Sequence, residues 1–139
     1  MPMRINNIIK KLVKKYGTNN PFEIAKQMGI KVEYAPLGET LGFYYYDRRI
    51  QFININNQIE EGQQTFTCAH ELGHAVLHKH SNTPFLKKNT LYPISKIERE
   101  ANEFAIALLS YGAEIYAGMT VYECGQIYGI PEQVRDMIK

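Results

Sequence analysis

The stretch TFTCAHELGHAVLHKH, residues 65 to 80, holds all four histidines of the chain: His70, His74, His78 and His80. Its apolar residues Phe66, Ala69, Leu72, Ala75 and Val76 recur at helical spacing, which predicts a helix from about Thr65 to Lys79. Within it, His70-Glu71-Leu72-Gly73-His74 forms an HExxH pattern. Residues four apart on a helix are about 40° apart in projection and about 6 Å apart in rise, so the two imidazoles converge on one metal ion. Glu71, beside the first of them, can point at a water on that metal without being a ligand. A chance match would place these polar groups inside an apolar helix at a cost of a few kcal/mol, so the context favours metal binding. The spacing is that of a zinc hydrolase.

Two histidines do not complete such a site, because a catalytic zinc takes three protein ligands and leaves the fourth position to water. His80 lies ten residues after His70, where the HExxHxxGxxH pattern puts its third histidine, but Leu77 stands where that pattern needs a glycine. On an unbroken helix His80 would be carried about 15 Å along the axis from His70, and His78 about 12 Å, both too far for a metal bond of about 2 Å. Both read as helix-end residues, with His78 able to line the cleft. The third ligand is therefore sought among the carboxylates.

The longest amphipathic helix of the chain, SKIEREANEFAIALLSY over residues 95 to 111, supplies one. Its apolar face is Ile97, Ala101, Phe104, Ala105, Leu108 and Leu109. At 100° per residue Glu98 sits roughly 50° from the centre of that face, Glu100 about 110° and Glu103 about 170°. Glu98 alone faces inward. A buried glutamate needs a partner or a metal, so Glu98 is the expected third ligand; a salt-bridged core edge is the plainer reading and Glu100 the rival ligand. Asn102, one turn on, is placed to hold the other ring nitrogen of a ligand histidine. Ala101 and Ala105 are small enough for two helices to pack closely.

The rest of the chain is consistent with one domain of 139 residues. A hydrophobic content of 45% against 22% charged residues is globular, and a net charge of +2 argues against nucleic acid or membrane adhesion. Ile5, Ile8, Ile9, Leu12 and Val13 alternate with Lys10, Lys11, Lys14 and Lys15, predicting an amphipathic helix over 3–16 with the lysines solvated. That segment has no continuous apolar run, so a cytoplasmic location is expected. Asn20-Pro21 caps and opens a second helix, PFEIAKQMG, stopped at Gly29. Three strand-like runs follow, IKVEYA, LGFYYYD and RIQFINI. The consecutive Tyr44, Tyr45 and Tyr46 alternate faces, so at least one ring should reach solvent or a cleft. Cys68 and Cys124 have no CxxC pairing and read as free buried thiols. The fold expected is α+β and zincin-like: a small antiparallel or mixed sheet packed on the HExxH helix. Residues 1–112 would form that domain, and residues 113–139 a short helical segment packed on it.

HELGH, with YGTNNPFEIAKQMGIKVEY, the GFYYYD strand, the RIQFINI strand leading into the helix, HAVLH after the motif and EREANEFAIALL downstream, resembles the ImmA/IrrE family of metallopeptidases. The resemblance covers most of the chain in the family's order. It implies one Zn2+ per chain on His70, His74 and Glu98, with Glu71 as the catalytic carboxylate, the same third ligand that the helix geometry selects. It also implies a protein substrate in the cytoplasm, typically a helix-turn-helix transcriptional repressor of a phage or other mobile element. After Leu109 the chain departs from relatives that continue with Met-Pro, having Ser110-Tyr111-Gly112 instead.

Peptide hydrolysis needs a donor for the tetrahedral oxyanion, worth about 3 to 4 kcal/mol elsewhere. Tyr44, Tyr46, Tyr111 and His78 are the candidates. RIQFINI or its neighbour strand could take an extended substrate by edge pairing. The competing reading is a DNA-binding or regulatory module, since VYECGQIYGIPEQVRDMIK is spaced like a helix-turn-helix. Its would-be recognition helix sets only Arg135 and Lys139 against Glu132 and Asp136, a weak electrostatic footprint. A zinc-binding adaptor without protease activity is the third possibility.

Overall fold

The computed structural model describes residues 3–80, 86–87 and 95–111. The helical segment expected over 113–139, with Cys124 in it, lies outside the described residues. The order of elements is α1 (Met3–Tyr16), α2 (Pro21–Gln27), β1 (Lys31–Ala35), β2 (Thr40–Asp47), β3 (Ile50–Asn56), α3 (Glu61–Leu77), β4 (Leu86–Lys87) and α4 (Lys96–Leu109). The architecture is α+β, as expected: one small mixed sheet with the HExxH helix packed on it and the other long helix against that.

Local signals account for most of the elements. The side chain of Asn20 accepts from the backbone N–H of Phe22 and Glu23, and Pro21 occupies the first helical position, where its missing N–H is harmless. Ser95 does the same for α4, accepting from the N–H of Glu98. This cap fixes Glu98 in the first turn. Helix α3 begins at Glu61, four residues before the predicted Thr65, because its first turn, Glu61-Gly62-Gln63-Gln64, is polar and carries no apolar period.

The sheet order is β1-β3-β2-β4. β2 and β3 form an antiparallel hairpin whose register pairs Asp47 with Ile50, leaving Arg48 and Arg49 as a two-residue turn with φ of 51° and 67°. β1 then adds to the far side of β3 in parallel. The RIQFINI strand is thus central, with both edges paired, so of the two choices the sequence offered for edge pairing with an extended peptide it is excluded and the neighbouring strand stays open. The backbone donors and acceptors of RIQFINI are already used in two ladders.

One face of the sheet carries Gly42, Tyr44, Ile53 and Ile55 into the core against Phe66, Ala69 and Leu72 of α3. At Gly42 sheet and helix nearly touch: a Cβ there would lie 2.5 Å from both Thr67 Cγ2 and the Asn54 carbonyl oxygen. The opposite face keeps Tyr45 stacked on Phe52 at 4.5 Å and 40% exposed, so the three tyrosines divide as their alternation predicts. α1 buries Ile5 and Ile9 and packs mainly against α4, leaving its lysines outside. Cys68 is a buried free thiol, as expected, and burial pushes its pKa up, which leaves it unreactive. No helix among the described residues is long and apolar enough to cross a membrane.

Candidate metal centre

The contact between α3 and α4 brings the sequence-predicted residues together. His70, Glu71 and His74 are each no more than 1% exposed, and each offers a ligand atom within 4.8 Å of the others. From α4, Glu98 comes closer still. Its Oε1 lies 3.0 Å from His70 Nε2 and 3.3 Å from His74 Nε2, and its Oε2 lies 3.1 Å from His74 Nε2. One carboxylate therefore faces the Nε2 atoms of both HExxH histidines. Glu100, the rival ligand, is not among these atoms; it faces His78 and Arg4 instead.

The approach of the two helices depends on Gly73. A Cβ at that position would meet Phe104 Cβ and Cδ1 at 3.1 Å and Cγ at 3.2 Å. Ala101 and Ala105, the small residues the sequence pointed to, are fully buried on α4. Glycine on one helix and alanines on the other allow Glu98 to reach across.

The donors and acceptors at the centre do not balance without a cation. Asn102 Oδ1 lies 2.8 Å from His70 Nδ1, so that nitrogen carries the ring hydrogen and the Nε2 lone pair turns toward Glu98. A lone pair and a carboxylate oxygen 3.0 Å apart repel unless a positive charge, a metal ion or a proton on the ring, stands between them. In addition, both carboxylate oxygens of Glu71 and Glu98 Oε2 are buried without a hydrogen bond, although Oε2 is near the His74 ring. Three buried carboxylate oxygens without hydrogen bonds would be costly in a closed core. The N···O spacings of 3.0 to 3.3 Å fall near the edge of a tetrahedron with bonds of about 2.1 Å, roughly 3.4 Å. The donor set of two imidazoles and a carboxylate fits a divalent metal.

The two carboxylates differ in protonation. Burial pushes Glu71 up to about 8, and the charge of Glu98 adds to the rise against the opposing pull of His70. Burial acts on Glu98 in the same sense, but with no metal between them hydrogen bonds donated by the His70 and His74 rings override it and hold Glu98 down at about 2. Burial also lowers His74, whereas at His70 the neighbouring Glu71 and Glu98 outweigh burial and raise it. The two carboxyl groups thus differ in environment, Glu98 held as an anion and Glu71 keeping its proton to higher pH.

Several oxyanion candidates are otherwise engaged. The Tyr44 hydroxyl donates to the Lys79 carbonyl at 2.6 Å and accepts from Gln51 Nε2 at 3.1 Å, while its ring stacks near His74. Tyr46 packs edge-on against His80, and Tyr111 is 41% exposed. His78 caps α3 with φ −134°, and its two nitrogens lie 3.0 Å from His74 Nδ1, one turn back, and 3.0 Å from Glu100 Oε1. The links to Glu100 and Gly73 were missed from the sequence, since both depend on the angle at which α3 and α4 meet.

Known proteins share the sequence of this part of the chain. The pattern of the peptidase family described as the IrrE N-terminal-like domain fits residues 25–117. The chain is 47% identical over 106 residues to an uncharacterized immunity region protein 2 of Bacillus phage phi105, covering 76% of this chain and 67% of that one. It is 33% identical over 107 residues to the metallopeptidase ImmA of Bacillus subtilis (strain 168), covering 76% of this chain and 62% of that one. The matched stretch thus spans less than two thirds of ImmA and about two thirds of the phage protein.

Proposed function

Since this chain belongs to the IrrE N-terminal-like family of peptidases, we propose that it is a zinc-dependent endopeptidase with His70, His74 and Glu98 as the ligands of a single zinc ion. The observation that carries this reading is the convergence of one carboxylate on the Nε2 atoms of both HExxH histidines, beside a second carboxylate, Glu71, that is buried with no partner. The ligand set of two histidines and a glutamate is gluzincin-like.

Zinc, when bound, supplies a Lewis acid that polarises the scissile carbonyl and brings the pKa of water toward about 7. Glu71 takes the proton from the attacking water and passes it to the leaving amine. Burial raises Glu71 to about 8 without a metal, and a divalent cation beside it would draw the carboxyl back down, toward the range in which it can take a proton and return it. Glu98 stays ionised throughout. Asn102 keeps the His70 ring in the tautomer that offers Nε2.

The substrate we propose is a cytoplasmic protein, a transcriptional repressor of a phage or mobile element. This rests on the similarity to a phage immunity region protein and to ImmA, a metallopeptidase. Two measurements test the reading. Elemental analysis after exhaustive dialysis should find about one zinc per wild-type chain and none in His74→Ala or Glu98→Ala. Incubation with repressors from the same immunity region should yield a cleaved product by mass spectrometry, absent with Glu71→Gln. A wild type without stoichiometric metal would overturn the proposal.

A further inference from the structure

Resting on the zinc-site reading above, we infer that His78 and Glu100 are positioning residues for the metal site, forming a relay that fixes His74 in its metal-binding tautomer. A histidine that gives Nε2 to a metal must carry its hydrogen on Nδ1, and a buried N–H needs an acceptor. For His70 that acceptor is Asn102. For His74, a fully buried ring, the group in reach is His78 Nδ1, at 3.0 Å.

His78 can accept there only if its own hydrogen sits on Nε2. Glu100 Oε1 lies 3.0 Å from that Nε2, and an ionised carboxylate is an acceptor only, so it selects that tautomer. The sequence Glu100, His78, His74 is then a directed chain of hydrogen bonds ending in a lone pair aimed at Glu98. The two ends of the HExxH motif are thus held by different devices, an amide for His70 and an imidazole with a carboxylate behind it for His74.

The relay is enclosed enough to matter, since the side chains of His78 and Glu100 are 8% and 19% exposed. Its outer end reaches α1, where Arg4 Nη1 lies 3.0 Å from Glu100 Oε2. Arg4 belongs to residues that precede the family match, and its side chain is 60% exposed, so solvent screens most of its charge. Its part in the relay is correspondingly small.

Zinc affinity measured by competition with a chromogenic chelator tests the inference in the full chain. Loss of a hydrogen-bond partner behind a ligand histidine lowers metal affinity by about 10 to 100-fold, the effect expected for His78→Leu. His78→Asn places a carbonyl oxygen near the position of Nδ1, and its affinity should stay within about threefold of wild type. Glu100→Gln keeps an acceptor but loses the charge that selects the tautomer, with an expected loss of about 3 to 10-fold, and Arg4→Ala less than about twofold. Urea midpoints identify any variant that has lost its fold, and long-range 1H–15N spectra of the zinc-loaded protein read the His74 tautomer directly. Wild type should show hydrogen on Nδ1 of His74 with coupling to a His78 ring that carries its hydrogen on Nε2. Unchanged zinc affinity in a folded His78→Leu, or a His78 ring with its hydrogen on Nδ1, would overturn the relay while leaving the zinc site intact. A wild type without zinc would overturn the metal reading itself.

Discussion

Gly73→Ala separates helix propensity from site geometry. In an isolated helix the change would stabilise by about 1 kcal/mol, because glycine loses more backbone entropy than alanine. Here the added Cβ would lie 3.1 Å from Phe104 Cβ and Cδ1, against an ordinary carbon contact of about 3.5 Å or more, so the helices must part by roughly 0.4 Å. Phe104 is fully buried, and one of its two closest atoms is Cβ, so a change of rotamer alone cannot relieve the contact. Overpacking of this kind costs about 1 to 3 kcal/mol, which cancels or exceeds the gain. The net expectation is a protein between unchanged and about 2 kcal/mol less stable.

The sharper consequence falls on the metal. α4 carries Glu98 and Asn102, so a shift of roughly 0.4 Å exceeds the tolerance of about 0.2 Å on a metal bond. Zinc affinity is expected to fall at least about tenfold, or about 1.4 kcal/mol, more than the chain as a whole loses at the low end of the range. Chelator competition and urea unfolding on the same preparation measure the two quantities. A Gly73→Ala variant that gains the full 1 kcal/mol and binds zinc as tightly as wild type would refute the claim that contact at Phe104 sets the reach of Glu98.

Other predictions follow from the same geometry. Glu71→Gln should keep its zinc and lose peptide cleavage. In the metal-free protein the folded Glu71 holds its proton up to about 8 while the unfolded chain releases it near 4.5, so the folded state binds more protons between those values. Wild-type stability should therefore fall with rising pH across that window, by up to about 1.4 kcal/mol per pH unit, and Glu71→Gln should flatten the slope; urea midpoints at pH 5 and 8 in chelator decide it. Asn102→Ala removes the acceptor for His70 Nδ1 and should weaken zinc binding about 10 to 100-fold in a chelator titration, with no effect counting against the tautomer assignment. Replacing Arg48-Arg49 by Asn-Gly should raise stability by about 1 kcal/mol, since both arginines sit at positive φ, and leave zinc affinity unchanged; a lower urea midpoint would count against strain in that turn.

What the sequence disclosed and what it hid divide along physical lines. The convergence of the HExxH histidines and Glu98 was legible because a helix converts spacing into direction, and both helices are regular where those residues lie. The cap at Asn20 and the start of α2 were legible because they are made within four residues. The central place of β3 was not, since alternation of side chains says which face is buried but nothing about which strand lies on either side. His78 was placed about 12 Å along the axis from His70 by extending an ideal helix. It does close the helix, as that reading had it, and the ring contact with His74 one turn back is the part left unread. Glu100 lay off the apolar face by angle, and what partly covers it, His78 at the end of α3 and Arg4 of α1, comes from other elements.

The groups proposed to bind metal or move protons come from α3 and α4, and the groups that hold them come from the same pair or from its rim. A metal bond fixes position to about 0.2 Å, whereas the hydrogen bonds from the sheet, from Gln51 to the Ala75 carbonyl and from Tyr44 to the Lys79 carbonyl, fall at the end of α3 and just beyond it. Sheet and α1 therefore set stability and steady the two helices, while the contact line between α3 and α4 sets affinity. Substitutions on the exposed face of β2 and β3, such as Tyr45 and Phe52, should consequently change unfolding midpoints without changing zinc affinity. Changes at Gly73, Asn102 or His78 should move affinity at least as far as stability. That separation is the physical signature of a metal site assembled by two helices on a supporting scaffold.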